Sequence, residues 1–212
     1  MGSDKKALLL CSGGLDSTTL AFLLVRDEIS FVPLFINYGQ HCAETELSTA
    51  QSVLPPSVRL DLKRIDIADV YRGTPSRLIS EPDLWKEPVE DSDLYLPYRN
   101  ILFLSVGSAY AQAHDINVVY AAFIDSNHAK EIDCSAEFFR RLTELLAEYG
   151  SVEIRMPFRD FSKQRVVELA AELGVPIGIT YSCQASSAVP CGACPNCVER
   201  LAALRAVEEK HD

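Results

Sequence analysis

Apolar and polar positions along the chain fall into short, almost wholly apolar runs separated by longer amphipathic stretches. The runs Ala7–Cys11, Phe31–Ile36, Leu60–Ile65, Val118–Phe123 and Val152–Met156 predict strands. Between and after them, Asp16–Arg26, Cys42–Val53, Asn100–Ala113, Ser135–Glu148, Ser162–Leu173 and Pro195–Glu208 carry helical spacing, the fifth stopped by Gly174. Asp66–Pro97 has weak periodicity, several prolines and many acids, and reads as an irregular excursion. Short apolar strands alternating with helices predict an α/β fold, an open parallel sheet with helices on both faces. In such a sheet ligands bind beyond the carboxyl ends of the strands. That rule gathers the loop at Ser12, Asn37–His41, Tyr98–Asn100, Asp125–Cys134 and Arg159–Lys163.

Composition narrows the class. The chain has 212 residues, 48% hydrophobic and 24% charged, with a formal charge of −10. This fits a globular α/β domain and argues against a broad basic surface for nucleic acid. No apolar run approaches the roughly 20 residues that span a bilayer. No signal peptide pattern opens the chain, and Lys6 removes a myristoylation signal from Met1-Gly2. The expected location is the cytoplasm, with no membrane and no direct nucleic-acid partner.

The junction after the first strand carries the most chemistry. Ser12-Gly13-Gly14-Leu15-Asp16-Ser17 is a turn of small residues running into a helix. Adjacent glycines allow close backbone approach and positive φ, and N–H groups at a helix start favour an anion. Ser12, Ser17 and Thr18 add hydroxyls. A Walker A loop is excluded because no lysine follows the glycines, and a dinucleotide fingerprint because no third glycine does. The alternative is an ordinary strand–helix turn. An acid within a phosphate cradle suits Mg²⁺, so Asp16 is the expected metal carboxylate. The hexapeptide resembles the pyrophosphate loop of the N-type ATP pyrophosphatases, which cleave ATP between its α and β phosphates.

Four of the seven cysteines, Cys183, Cys191, Cys194 and Cys197, lie within fifteen residues near the end of the chain. Cytosolic thiols are normally reduced, so this spacing reads as a metal site. A closed Cys₄ set predicts structural Zn²⁺, with Gly192 in the turn. An iron–sulfur cluster is the rival reading, and four unligated thiols the plain one. Cys11, Cys42 and Cys134 read as small core or loop residues rather than nucleophiles.

The two signals together resemble the 7-cyano-7-deazaguanine synthase family (QueC). The match runs through SGGLDST at 12–18, INYGQ at 36–40, PYRN at 97–100, IDC and EFF within 132–139, SKQRVVELAAELGVP at 162–176, and YSC with CGACPNCVER within 181–200. The resemblance implies a Rossmann-like fold of the adenine nucleotide alpha hydrolase type over 1–180 and a zinc-binding C-terminal extension over 181–212. It also implies adenylation of 7-carboxy-7-deazaguanine by ATP, amidation by ammonia, and dehydration of the amide to the nitrile by a second ATP. Asp16, Lys163 and Arg99 are then the expected catalytic groups. Cys11, Ser12, Gly13, Gly14, Leu15, Ser17 and Thr18 would hold the nucleotide. Tyr38, Gln40, His41, Tyr98, Asn100, Asp125 and Asp133 would face the substrate, and a homodimer is the expected assembly. Plainer roles are a solvated first-turn lysine for Lys163 and a helix-start ion pair for Arg99.

The departures concentrate on the substrate side. The family's YGQRH reads YGQHC at 38–42, its PGRN reads PYRN, and its DYSGYPDC loop becomes the longer Asp125–Cys134, with His128 and Lys130. These changes leave open a diverged ligase that stops at the amide or passes the activated acid to another amine, a protein terminus included. A tRNA-thiolating relative and a regulatory nucleotide-binding module are the remaining readings.

Overall fold

The computed structural model describes residues 7–83, 89–124, 133–187 and 189–211. Five strands form one parallel sheet: β1 (Ala7–Leu10), β2 (Phe31–Asn37), β3 (Lys63–Asp66), β4 (Val118–Tyr120) and β5 (Glu153–Arg155). Their spatial order is β3-β2-β1-β4-β5. The chain therefore winds outward from β1 to β3 and then restarts on the other side with β4. The gap between the ends of β1 and β4 is the topological switch point, where an open sheet leaves a crevice for a ligand.

Six helices cover the sheet among the described residues: α1 (Leu15–Arg26), α2 (Ala43–Val53), α3 (Arg99–Ala113), α4 (Ala136–Tyr149), α5 (Lys163–Glu172) and α6 (Pro195–His211). Alternation along β1 divides the core. Leu9 faces Leu20, Leu24, Val166 and Ala170, the apolar sides of α1 and α5, and Ala203 and Val207 of α6 join this cluster. Leu8 and Leu10 face α3 on the opposite side, with Leu34, Ala111 and Val119. Near-continuous apolar strands are what burial on both faces demands. Phe139 and Leu142 seat α4 against Leu104 and Ala121.

Helix starts follow their side chains. Ser135 and Ser162 cap α4 and α5, their hydroxyls accepting from the amides of Phe138 and Arg165. The strand expected at Leu60–Ile65 is shifted. Arg59–Asp61 is a 3₁₀ turn, with the Arg59 guanidinium donating to the Leu54 carbonyl at 2.7 and 3.1 Å, and β3 begins only at Lys63. The excursion between β3 and α3 is not coreless. Tyr38, Tyr71, Leu78, Leu94 and Leu96 pack together, and the Tyr71 hydroxyl donates to the Pro97 carbonyl at 2.8 Å. This small cluster holds the segment that leads into Arg99.

Candidate active site

The phosphate-loop candidate lies at the switch point. Gly13 has φ +74°, and a Cβ there would stand 2.6 Å from the Glu46 carbonyl oxygen and 2.8 Å from the Ala50 nitrogen. Both the conformation and the clearance require glycine, because α2 passes directly against the turn. Gly14 differs from the expectation of positive φ: at φ −73°, ψ 165° it is the extended N-cap of α1. No side chain caps this helix. Its first-turn amides are thus left for a ligand, as at anion sites on helix N-termini. Ser12 and Ser17 bond to each other at 3.3 Å, and the Gly14 amide donates to Ser12 Oγ at 3.3 Å. Thr18 is fully buried behind the loop, its Oγ1 without a partner among the described residues.

A cavity of about 320 Å³ opens over this loop. Cys11, Ser12, Gly14, Leu15, Asp16 and Ser17 line it from one side, and Ala121–Ile124 from the end of β4. Lys163, the first residue of α5, reaches across so that Nζ donates to both Asp16 carboxylate oxygens, at 2.9 and 2.8 Å. A cation and a carboxylate from separate elements thus meet at the mouth of an uncapped helix. Burial pushes the Cys11 thiol up to about 11, so it stays neutral near pH 7.

The other wall comes from the end of β2, α2 and the start of α3. Tyr38, Gln40, Glu46, Arg99 and Asn100 all line the cavity. The Tyr38 amide donates to Gln40 Oε1 at 2.9 Å, and Gln40 Nε2 donates to Glu46 Oε2 at 2.8 Å. Arg99 lines the cavity beside Tyr38. Among the described residues it forms no ion pair, which leaves a cation facing the cavity. Asn100 Nδ2 donates to the Asp133 carbonyl at 2.9 Å and tethers the chain that leads into α4. Burial raises the Asp133 carboxyl above its ordinary range.

Three residues expected at the substrate lie off the cavity wall. His41 Nε2 is 3.1 Å from the Gln184 carbonyl oxygen, and its Nδ1 is buried without a partner among the described residues. Asp133 is buried beside Asn100. Tyr98 is 70% exposed and has φ +61°, a left-handed conformation unusual for an aromatic residue. Asp125, with His128 and Lys130, lies outside the described residues.

The cysteine tail closes the remaining side. The sulfurs of Cys183, Cys191, Cys194 and Cys197 all lie within 4.8 Å of one another. Four sulfurs about 2.3 Å from one tetrahedral zinc ion stand roughly 3.8 Å apart, so the set fits such an ion with little movement. Hydrogen bonds from Cys194 and then Cys197 hold the Cys183 thiol far below its usual range. The segment before the knuckle touches the loop: the Tyr181 amide donates to the Gly13 carbonyl at 3.1 Å. Arg200 of α6 fastens the same segment, donating to Thr180 Oγ1 at 2.6 Å, Ser182 Oγ at 3.1 Å and the Ile177 carbonyl at 2.6 Å. Tyr181, Ser182, Gln184 and Asn196 thereby become cavity wall.

Residues 6–208 match the family model described as queuosine biosynthesis protein QueC. The chain belongs to this family. Among curated relatives it is similar to the 7-cyano-7-deazaguanine synthase of Methanospirillum hungatei JF-1, at 28% identity over 95% of this chain and 96% of that protein. It is also similar to the enzyme of that name from Acidobacterium capsulatum, at 29% identity over 97% and 93%. A 4-thiouridine synthetase solved with RNA and bound ATP shares the fold at TM-score 0.53 and 15% identity, covering 99% of this chain and 54% of that one. A predicted tRNA methyltransferase subunit from Methanocaldococcus jannaschii aligns at TM-score 0.50 and 16% identity, covering 79% and 74%. The Ser12–Ser17 turn and residues flanking the cysteine cluster thus line one cavity. No local pattern in the sequence marks Glu46 or Arg200. The acid lies on a polar helix, and only the passage of α2 against Gly13 carries it to the cavity.

Proposed function

We propose that the chain is an ATP-dependent ligase that converts 7-carboxy-7-deazaguanine to 7-cyano-7-deazaguanine. The observation that carries this reading is the Lys163–Asp16 pair at the uncapped N-terminus of α1, inside a cavity that Arg99 also lines. The α1 amides and Lys163 receive the phosphates of ATP. Arg99 orients an anionic oxygen, a phosphate or the substrate carboxylate, by charge-assisted hydrogen bonds.

The carboxylate oxygen attacks the α-phosphorus of ATP, the bond to the bridging oxygen breaks, and pyrophosphate leaves. Loop amides and Lys163 stabilise the charge that gathers on that leaving group. Ammonia then displaces AMP from the acyl carbon, giving the amide and a proton. The amide oxygen attacks the α-phosphorus of a second ATP, pyrophosphate leaves, and loss of AMP with the two amide protons gives the nitrile. Asp16 would hold Mg²⁺, which supplies further charge neutralisation at the phosphates. The four cysteines would hold Zn²⁺ as a closed structural site, keeping Tyr181 and Gln184 in the cavity wall.

Mass spectrometry of the products tests the reading. Incubation with ATP, Mg²⁺, ammonia and 7-carboxy-7-deazaguanine is expected to yield the nitrile. Amide alone, or a mass added to a protein amine, would replace it with ligation to a different end product.

A further inference from the structure

Glu46 has no part in phosphate chemistry as described, yet its carboxylate lines the cavity with Tyr38, Gln40 and Arg99. Its surroundings are donors. Gln40 Nε2 donates at 2.8 Å, and Gln40 is itself fixed by the Tyr38 amide on its Oε1. Arg99 lines the same cavity and brings a positive charge to bear on the carboxylate. Gln40 is buried, so this acid is held in place rather than left to sample solvent.

An ionised carboxylate accepts hydrogen bonds only and has room for about four. A cavity carboxylate held by the Gln40 amide retains capacity for ligand N–H groups. A 2-aminopyrimidinone ring presents two such groups side by side, the ring N–H and the exocyclic amine, matched to the two oxygens of a carboxylate. An adenine edge places an acceptor nitrogen beside its amine and would set that nitrogen against the negative charge.

We propose that Glu46 is the specificity residue for the heterocycle, accepting hydrogen bonds from the 2-amino group and the adjacent ring N–H of a deazaguanine-type substrate. This deepens the functional reading above and rests on it for the identity of the substrate.

The groups facing Glu46 leave it as the titrating member. Cys11 from the end of β1 is pushed up to about 11, and Cys42, Tyr38 from the end of β2 and Tyr181 from the knuckle segment are held well above their usual values by burial. The positive charge of Arg99 acts on Glu46 in the opposite sense, favouring its ionised form. Burial raises Glu46 itself to about 7. Its acceptor form therefore grows as pH rises from 6 to 8.

Calorimetric titration with 7-deazaguanine and 7-deazahypoxanthine, which lacks the 2-amino group, tests the assignment without catalysis. The wild type is expected to prefer 7-deazaguanine by about tenfold or more, from hydrogen bonds to a charged group. In Glu46→Gln that preference should fall severalfold, and in Glu46→Ala approach one, with ATP binding unchanged in both. In the wild type alone, 7-deazaguanine should bind more tightly at pH 8 than at pH 6. A wild-type preference near one, an unchanged preference in the variants, or an equal loss of ATP binding would overturn the proposal. Adenylation of 7-carboxy-7-deazaguanine by the wild type is scored separately. If it fails while the Glu46-dependent preference holds, the functional reading falls and this one stands.

Discussion

Lys163 and Asp16 lie 147 positions apart in the chain, yet the lysine Nζ meets both oxygens of the aspartate carboxylate at 2.9 and 2.8 Å. Each stands in the first turn of its helix, Asp16 in α1 and Lys163 in α5, and their side chains are only 26% and 12% exposed. The parallel topology brings both helix starts to one end of the sheet. In the free protein each charge offsets the other. With ATP bound, Lys163 would turn to the phosphates and Asp16 to Mg²⁺.

Replacing Lys163 by Ala should therefore lower ATP–pyrophosphate exchange by about 10²–10³-fold, the range for losing one charge-stabilising group at a reacting oxyanion. Asp16→Asn should cause a similar loss, and both proteins should remain folded by circular dichroism. Near-normal exchange in either variant would remove the pair from the chemistry.

Gly13→Ala tests the turn. The new Cβ must occupy space 2.6 Å from the Glu46 carbonyl oxygen at φ +74°. The expected cost is about 1–3 kcal/mol of stability, measured by urea unfolding, with loss of exchange activity. A neutral substitution would mean that α2 yields easily and that the close approach has no structural weight.

The knuckle should carry about one zinc per chain. Because the Tyr181 amide bonds the Gly13 carbonyl two positions before Cys183, removing the metal should be felt at the phosphate loop. Cys194→Ala, or a chelator, is expected to lower the melting temperature and weaken ATP binding together. Elemental analysis finding iron and sulfide, or active protein without metal, would contradict this.

Glu46 also predicts a pH effect on stability. Burial raises it from 4.5 in the unfolded chain to about 7, so the folded protein binds the extra proton between those values. Its contribution to stability thus declines as pH rises through that window and is lowest above pH 7. Glu46→Gln removes the effect. The melting temperature of this variant relative to the wild type should rise between pH 5 and pH 8, and a constant difference would place the carboxyl in an ordinary environment.

Much of this arrangement is legible in the sequence because its signals are local. Ser135 and Ser162 mark their helices, the apolar run through Leu8, Leu9 and Leu10 requires cover on both faces, and the cysteine spacing draws its own site. The 3₁₀ turn at Arg59 is not legible, since it depends on a guanidinium reaching back to Leu54. Nor is the cluster of Tyr38, Tyr71 and Leu94, whose members follow no period and meet only through the fold. Glu46 escaped for the same reason: its helix reads as polar surface, and tertiary packing turns one acid inward. Tyr98 was expected at the substrate from the substitution in PYRN, but the left-handed backbone that suits glycine there sends its ring outward.

The count of AMP released per molecule of product tests the central claim most directly. Adenylation of the acid followed by adenylation of the amide requires two AMP for each nitrile formed with ammonia as the nitrogen source. A ratio near two, with the nitrile as product, is the predicted result. A ratio near one with no nitrile would contradict it and make the chain a ligase that activates its acid only once.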